Sequence, residues 1–424
     1  MRRMSFLFLL LAMIVAVAGC GEEKQTSANP EKITIKFNGD STGKLLELNA
    51  RLAKEFEKET GIKVEIVMGP DNSTERLAAY QRFLSAKSPD VDVLLCDVVW
   101  PGLLGEHCVD LGDVINKDEF FPTVIENNTY KGKLVFAPFY SDAPMLYYRT
   151  DLLRKYDYAE PPKTWDELEE MATKIMNGER RAGNESFQGF VFQGAAGENL
   201  TCDALEWQKS HDGGVIVAPD GTVQVNTEGA RAAFARARKW IGTISTQGNL
   251  TYKEEESRLV FHNGYAAFMR NWPYVWTIEK SPDSPVHDKF SVSILPGDKG
   301  GSAATLGGWN LAVSKYSRHI PEAKKFVAFM TSEKAQSLRA MDGYLPNRPA
   351  VYGNEEIAKK VHYFENMKAV FENAVARPSV GTGRYYNQVS AIYYDAVHSI
   401  LNGDKPVEAA LAEAEEKIKA RLKE

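Results

Sequence analysis

Four short stretches set a flat ring beside a carboxylate, or beside Gly or Pro, where an extended segment ends. They are Asp97 with Trp100, Tyr140 with Asp142, Trp272 with Tyr274 and Trp276, and Gly308 with Trp309. A fifth, residues 377–386, mixes Arg377 and Arg384 with glycines, Tyr385 and Tyr386. Core aromatics fall mid-strand or on helix faces, so recurrence at strand ends asks for another explanation. A sugar ring has an apolar C–H face and a rim of hydroxyls. Flat aromatics cover the face, while Asp and Arg engage the rim with charge-assisted hydrogen bonds. Gathered in one hollow, these side chains suit a carbohydrate. Asp97 and Asp142 also admit a rival reading, the carboxylate pair of a glycoside hydrolase or lyase. Against it, no carboxylate lies in an evidently apolar setting, the seven His are scattered and there is no G-x-S-x-G. A receptor for a non-sugar solute (a peptide, a polyamine, a metal ion) is a further alternative, which the paired Trp and Tyr disfavour. No Cys or His spacing marks a metal site, and no cofactor is expected.

Such clusters need a scaffold that brings strand ends together. Residues 32–38 alternate as a strand, residues 45–60 carry Leu45, Leu48, Leu52 and Phe56 at helical spacing, and Gly61 stops the helix. Residues 62–68 predict a second strand, 74–85 a helix and 91–95 a third strand. That alternation predicts parallel βαβ units, and in open α/β sheets ligands bind beyond the carboxyl ends of the strands, where Asp97 and Trp100 fall. Residues 133–139 and 143–149 are strand-like around a short polar link. Thr164-Trp165-Asp166-Glu167 is a capping box opening a helix to about residue 176. Residues 227–241 are an Ala-rich helix, 259–269 carry a strand and 290–295 begin a new βα alternation. Residues 320–330, 331–340, 355–376, 391–401 and 406–423 are helical.

The chain has 424 residues, 44% hydrophobic and 25% charged, enough for two or three domains with sizeable cores. Its formal charge of −6, with no basic block, makes nucleic acid a poor partner. Arg2 and Arg3 precede an apolar run over residues 6–17, an export signal rather than a comfortable membrane span. Val17-Ala18-Gly19-Cys20 closes it in the pattern of a bacterial lipobox, so Cys20 is the expected lipidation site after removal of residues 1–19. Residues 20–30 follow as the lipidated Cys and a flexible polar tether. Cys96 and Cys108 either form a disulfide or, with Cys202, stay buried thiols; the sequence leaves both open.

With these features the chain resembles the extracellular solute-binding lipoproteins of ABC transporters, family 1, in the maltose- and trehalose-binding branch. The lipobox, the opening strand, Asp97-Val98-Val99-Trp100-Pro101-Gly102, residues 306–313 and Leu345-Pro346-Asn347-Arg348 carry the likeness. The resemblance implies an α/β, two-lobed periplasmic-binding-protein-like fold of type II, each lobe a mixed sheet flanked by helices with the ligand cleft between. The rhythm of the elements predicts residues 31–141 plus 278–314 as the N-terminal lobe and 142–277 plus 315–424 as the C-terminal lobe. By motif, Asp97, Tyr140, Asp142, Trp272, Tyr274, Gly308, Trp309 and Arg377 match sugar-lining positions, and Trp100 joins them from the strand-end argument. In the loop Gly39 to Lys44, Asp40 or Lys44 stands where the branch often has an acidic ligand. The implied activity is non-enzymatic: capture of a disaccharide or short oligosaccharide by a monomer, lipid-anchored outside the cytoplasm, and delivery to permease subunits.

Overall fold

A computed structural model describes residues 33–39, 43–361 and 373–424; the export signal, Cys20, the tether and Asp40 lie outside the described residues. The principal elements are β1 (Thr34–Gly39), α1 (Gly43–Thr60), β2 (Lys63–Met68), α2 (Ser73–Ser85), β3 (Val93–Asp97), β4 (Ala137–Asp142) and β5 (Met145–Arg149). There follow α3 (Trp165–Arg181), β6 (Gln188–Val191), α4 (Glu198–Ser210), α5 (Glu228–Trp240), α6 (Glu254–His262), β7 (Ala266–Asn271) and β8 (Phe290–Ser293). The remainder comprises β9 (Ala304–Thr305), β10 (Gly307–Val313), α7 (Ile320–Met330), α8 (Glu333–Met341), β11 (Ala374–Val375), α9 (Tyr386–Asn402) and α10 (Val407–Leu422).

The opening strands pair in parallel as the alternation requires, β2 beside β1 and β1 beside β3. The first sheet then adds β10, antiparallel to β3, and β4, antiparallel to β10 and so running with β3, in the order β2-β1-β3-β10-β4. The second sheet runs β8-β5-β7-β6. Each sheet is mixed and covered by helices, giving two lobes, each with its own apolar core. In the first, Leu48, Leu52 and Phe56 on one stripe of α1 meet Ile35 and Phe37 of β1. In the second, Trp165 and Leu168 of α3 pack with Phe190 of β6, Trp207 of α4 and Trp240 of α5. The capping box at Thr164 forms as its spacing demands: Thr164 accepts from the Glu167 amide, and the Glu167 carboxylate accepts from the Thr164 amide. The helix runs five residues beyond its expected end, to Arg181.

The division of the chain between lobes differs from the expected one. Strand β8 pairs antiparallel with β5, so residues 290–293 belong to the second sheet rather than the first. Helices α7 and α8 pack on the first core, where Phe326 sits 5.5 Å from Phe37 and 5.2 Å from Phe56, ring to ring. The physical reason is connectivity: α7 follows β10 after a short turn, and a short connection packs a helix back onto its own sheet. The chain changes lobe directly after β4, again between β8 and β10, and once more between α8 and α9. Strand β9 on the second of these crossings pairs in parallel with β11 on the third.

Cys96, Cys108 and Cys202 are buried free thiols, so of the two readings the sequence left open the structure has the thiols and not the Cys96–Cys108 disulfide. Cys96 is buried near the end of β3, while the Cys108 thiol donates to the Leu104 carbonyl at 3.4 Å. Burial pushes the Cys108 thiol up to about 12 and raises Cys96 and Cys202 as well.

Candidate functional site

The carboxyl ends of β3 and β4 and the amino end of β10 converge. Trp309 of β10 stands opposite Asp97 on one side and Tyr140 on the other, and Gly307 stands opposite Asp142. Register alone therefore lines up Asp97, Trp309, Tyr140 and Asp142 along one edge of the first lobe. The second lobe faces them with Trp272 and Tyr274, which follow directly on β7, and with the amino ends of α4 and α6. Between the lobes lies a cavity of about 300 Å³, within the range of small-ligand sites. Its lining includes Asp97, Tyr140, Asp142, Trp272, Tyr274, Gly308, Trp309 and Arg377.

Each ring is held in place. The Trp272 carbonyl accepts from the Tyr147 hydroxyl at 2.8 Å, its amide donates to Asn271 at 2.8 Å, and the Arg270 guanidinium lies 4.5 Å from its ring centre. Trp309 rests edge-on against Trp100, and the Arg76 guanidinium sits 5.3 Å from its ring. The Tyr274 hydroxyl donates to Glu255 at 2.6 Å. Burial and then Glu255 push that phenol well up, so it stays a donor. Tyr344, unforeseen from sequence, packs 4.9 Å from Tyr140 and extends the floor.

One glycine makes the approach of the lobes possible, and a second lets β10 lie close against β4 within the first sheet. A Cβ at Gly307 would lie 2.7 Å from the Trp272 ring. Gly308 has φ +130°, and a Cβ there would meet the Tyr140 carbonyl at 2.5 Å.

Trp100 does not line the cavity. The chain turns after Asp97 into a short helix, Pro101–Leu104, and Trp100 points inward, 2% exposed, against Tyr80 and the back of Trp309. It supports a cleft residue rather than facing the cleft. Lys44 is exposed on the first turn of α1.

Asp97 and Arg377 are close, and each is engaged by the protein itself. Asp97 Oδ1 accepts from Arg377 Nη2 at 2.9 Å and from the Val99 amide at 3.2 Å, and its Oδ2 accepts from the Ser73 hydroxyl at 2.8 Å. With about four acceptor positions on a carboxylate, Asp97 keeps room for about one more donor. Arg377 Nη1 donates to Glu198 at 2.8 Å. Burial works against the guanidinium charge, yet Asp97 and its other neighbours hold Arg377 firmly protonated. Glu198 was not foreseen. The signal available was the βα turn after β6, Gly194-Ala195-Ala196-Gly197-Glu198, a strand end of the kind that shapes ligand sites. The amino end of α2 also reaches the cavity: Asn72 caps that helix by accepting from the Thr74 amide at 3.0 Å. Among the described residues no group of His, Cys, Asp and Glu is arranged to hold a metal, and no helix is long and apolar enough to cross a membrane.

Two lobes joined by several crossings, with a ringed and carboxylate-lined cleft between them, define a solute-binding architecture. The chain belongs to the bacterial extracellular solute-binding protein family, whose model matches residues 39–337. It is a solute-binding protein of ABC transporters and not an enzyme. A probable ABC transporter-binding protein of Deinococcus radiodurans is 44% identical over 96% of this chain and 98% of its own. Maltose-bound MalE3 of T. maritima superposes with a TM-score of 0.86 at 37% identity, over 91% of this chain and 99% of its own. A Thermotoga lettingae solute-binding protein bound with α-D-tagatose shares the fold at a TM-score of 0.82 and 22% identity, over 92% of this chain and 100% of its own.

Proposed function

We propose that this chain captures a neutral sugar, a disaccharide such as maltose or trehalose or a short oligosaccharide, and delivers it to the membrane-embedded permease subunits. One observation carries the reading: the indoles of Trp272 and Trp309 and the phenols of Tyr140, Tyr274 and Tyr344 line a single cavity together with buried Asp97 and Asp142. The maltose bound by MalE3, to which this chain is 37% identical where the two superpose, supports it. Stacked rings cover the apolar faces of the sugar, while Asp142, Arg377 and the remaining acceptor capacity of Asp97 engage hydroxyls. Sugar held by one lobe gains the other lobe's contacts only on closure, so it shifts the open–closed population by its differential affinity. Cys20 carries the lipid anchor that keeps the monomer at the outer face of the membrane.

The test is titration calorimetry of the purified protein against maltose, trehalose and longer glucosides, followed by mass spectrometry of the recovered ligand. Binding near micromolar, about −8 kcal/mol, with the sugar returned intact is the expected result. Binding of none of these sugars while a peptide or polyamine stabilises the protein overturns the sugar reading. A Cys20→Ala variant is expected in the soluble fraction, and its retention in membranes overturns the anchor.

A further inference from the structure

Glu198 lies beside the cleft, and its role reaches through Arg377. Arg377 is carried by the second lobe: it follows β11, whose Val375 packs in the second core, and Glu198 opens α4 of the same core. Glu198 Oε1 accepts from Arg377 Nη1 at 2.8 Å and from the Tyr386 hydroxyl, and its Oε2 accepts from Ser390 at 2.6 Å. Arg377 and Ser390 are second-lobe residues, and Tyr386 opens α9 with its ring packed in the cluster of Tyr80 and Trp100 of the first lobe. The other end of the guanidinium, Nη2, reaches across to Asp97 on the first lobe at 2.9 Å. The backbone amide of Glu198 crosses in the same direction and donates to the Thr74 hydroxyl on α2 at 3.1 Å. One residue therefore aims two separate donors, its own N–H and the Arg377 fork, at neighbouring points of the opposite lobe. At the outer rim Lys253, at the start of α6, pairs with Glu75 of α2 in a third bridge.

We propose that Glu198 is the positioning residue of a closure latch. It fixes the Arg377 guanidinium so that, as the lobes meet, Nη2 docks on Asp97 and holds the cleft shut. The inference rests on the sugar-binding reading for its ligand, though not for its geometry. A guanidinium that bridges two carboxylates needs its plane fixed on one side to dock on the other without losing rotamer freedom at that moment. Glu198, itself held by Tyr386 and Ser390, supplies that fixed side. Arg377, Glu198 and Asp97 are each more than nine-tenths buried, so solvent screens these contacts little. The latch acts on the closed state alone. It therefore governs how long the cleft stays shut, and leaves the rate of sugar entry into the open form unchanged.

The experiment uses the full mature chain with Glu198→Gln, which keeps the shape and the Ser390 contact but removes the charge facing Arg377. Spin labels on exposed positions of α2 and α6 read the lobe separation without sugar. The wild type is expected to populate the short separation of this structure, and Glu198→Gln to shift toward the long one. Stopped-flow fluorescence with maltose is expected to give a dissociation rate about tenfold higher, with association no slower and raised in step with the open fraction. Thr74→Val, which removes only the acceptor of the Glu198 amide, is expected to move both readouts in the same direction by a smaller factor. Identical separations in wild type and both variants overturn the latch, as does a loss carried by the association rate. A wild type that shows the shift yet ignores every sugar overturns the sugar reading and leaves the latch standing.

Discussion

Gly307→Ala separates contact with the sugar from closure of the cleft. The added methyl lies on β10 of the first lobe, and in this structure it would stand 2.7 and 2.9 Å from two carbons of the Trp272 ring, which the second lobe carries. Real Cβ atoms do not approach that closely, so either the ring or the lobe must yield. The ring has little freedom, because the Arg270 guanidinium is already over it and its backbone is tied to Tyr147 and Asn271. Overpacking of this kind costs about 1–3 kcal/mol. At ~1.4 kcal/mol per tenfold, sugar affinity falls by about 5- to 150-fold. The first lobe itself has no reason to suffer. Gly307 lies in a strand without a positive φ, and Ala at such a position restricts the unfolded chain, so the melting temperature without sugar stays level or rises slightly. Calorimetric titration and a thermal melt of the same sample check both halves. Wild-type affinity in Gly307→Ala refutes the claim that these two atoms meet in the bound form, and a lower melting temperature refutes the claim that the effect lies between the lobes.

Trp309→Ala and Asp142→Ala are each expected to lower sugar affinity at least about tenfold while the far-ultraviolet spectrum stays native, since both lie at the cavity rather than in a core centre. Phe326→Ala removes a ring packed against Phe37 and Phe56 and is expected to cost about 3–5 kcal/mol in chemical denaturation, with the loss in the transition of the first lobe. His211 gives a pH dependence: burial lowers its pKa below the usual 6.5, although the Trp207 carbonyl and Asp298 oppose the shift. The unfolded chain then binds the proton first, so this stability is present above about 6.5 and is lost as pH falls through the lower folded value. A His211→Asn variant is expected to flatten the melting temperature over that window, and an unchanged slope would refute the assignment.

The parts of the molecule that could be read from sequence are those set by short-range rules. Strands β1 to β3 and their helices follow from apolar spacing and Gly61, and the start of α3 follows from Thr164 and Glu167. The cavity residues Asp97, Tyr140, Asp142, Trp272 and Trp309 were recognisable because a strand end puts a ring and a carboxylate within a few positions. Trp100 obeyed the same rule and failed it, because a short helix begins one residue later and turns the indole inward onto Tyr80. Glu198 and Arg377 meet across 179 positions, and nothing local in either segment announces the pair. The same limit explains β8 and α7: alternation marks a strand and an apolar stripe marks a helix, but neither says which of two similar sheets it will join.

The place of β10 in the first sheet has a consequence for synthesis. It lies between β3 and β4, so two segments complete by residue 142 touch only through a strand that begins at Gly307. On the ribosome, every copy spends the time needed to make some 165 intervening residues with half a sheet unable to close. A nascent chain in that condition cannot lock into its final shape early.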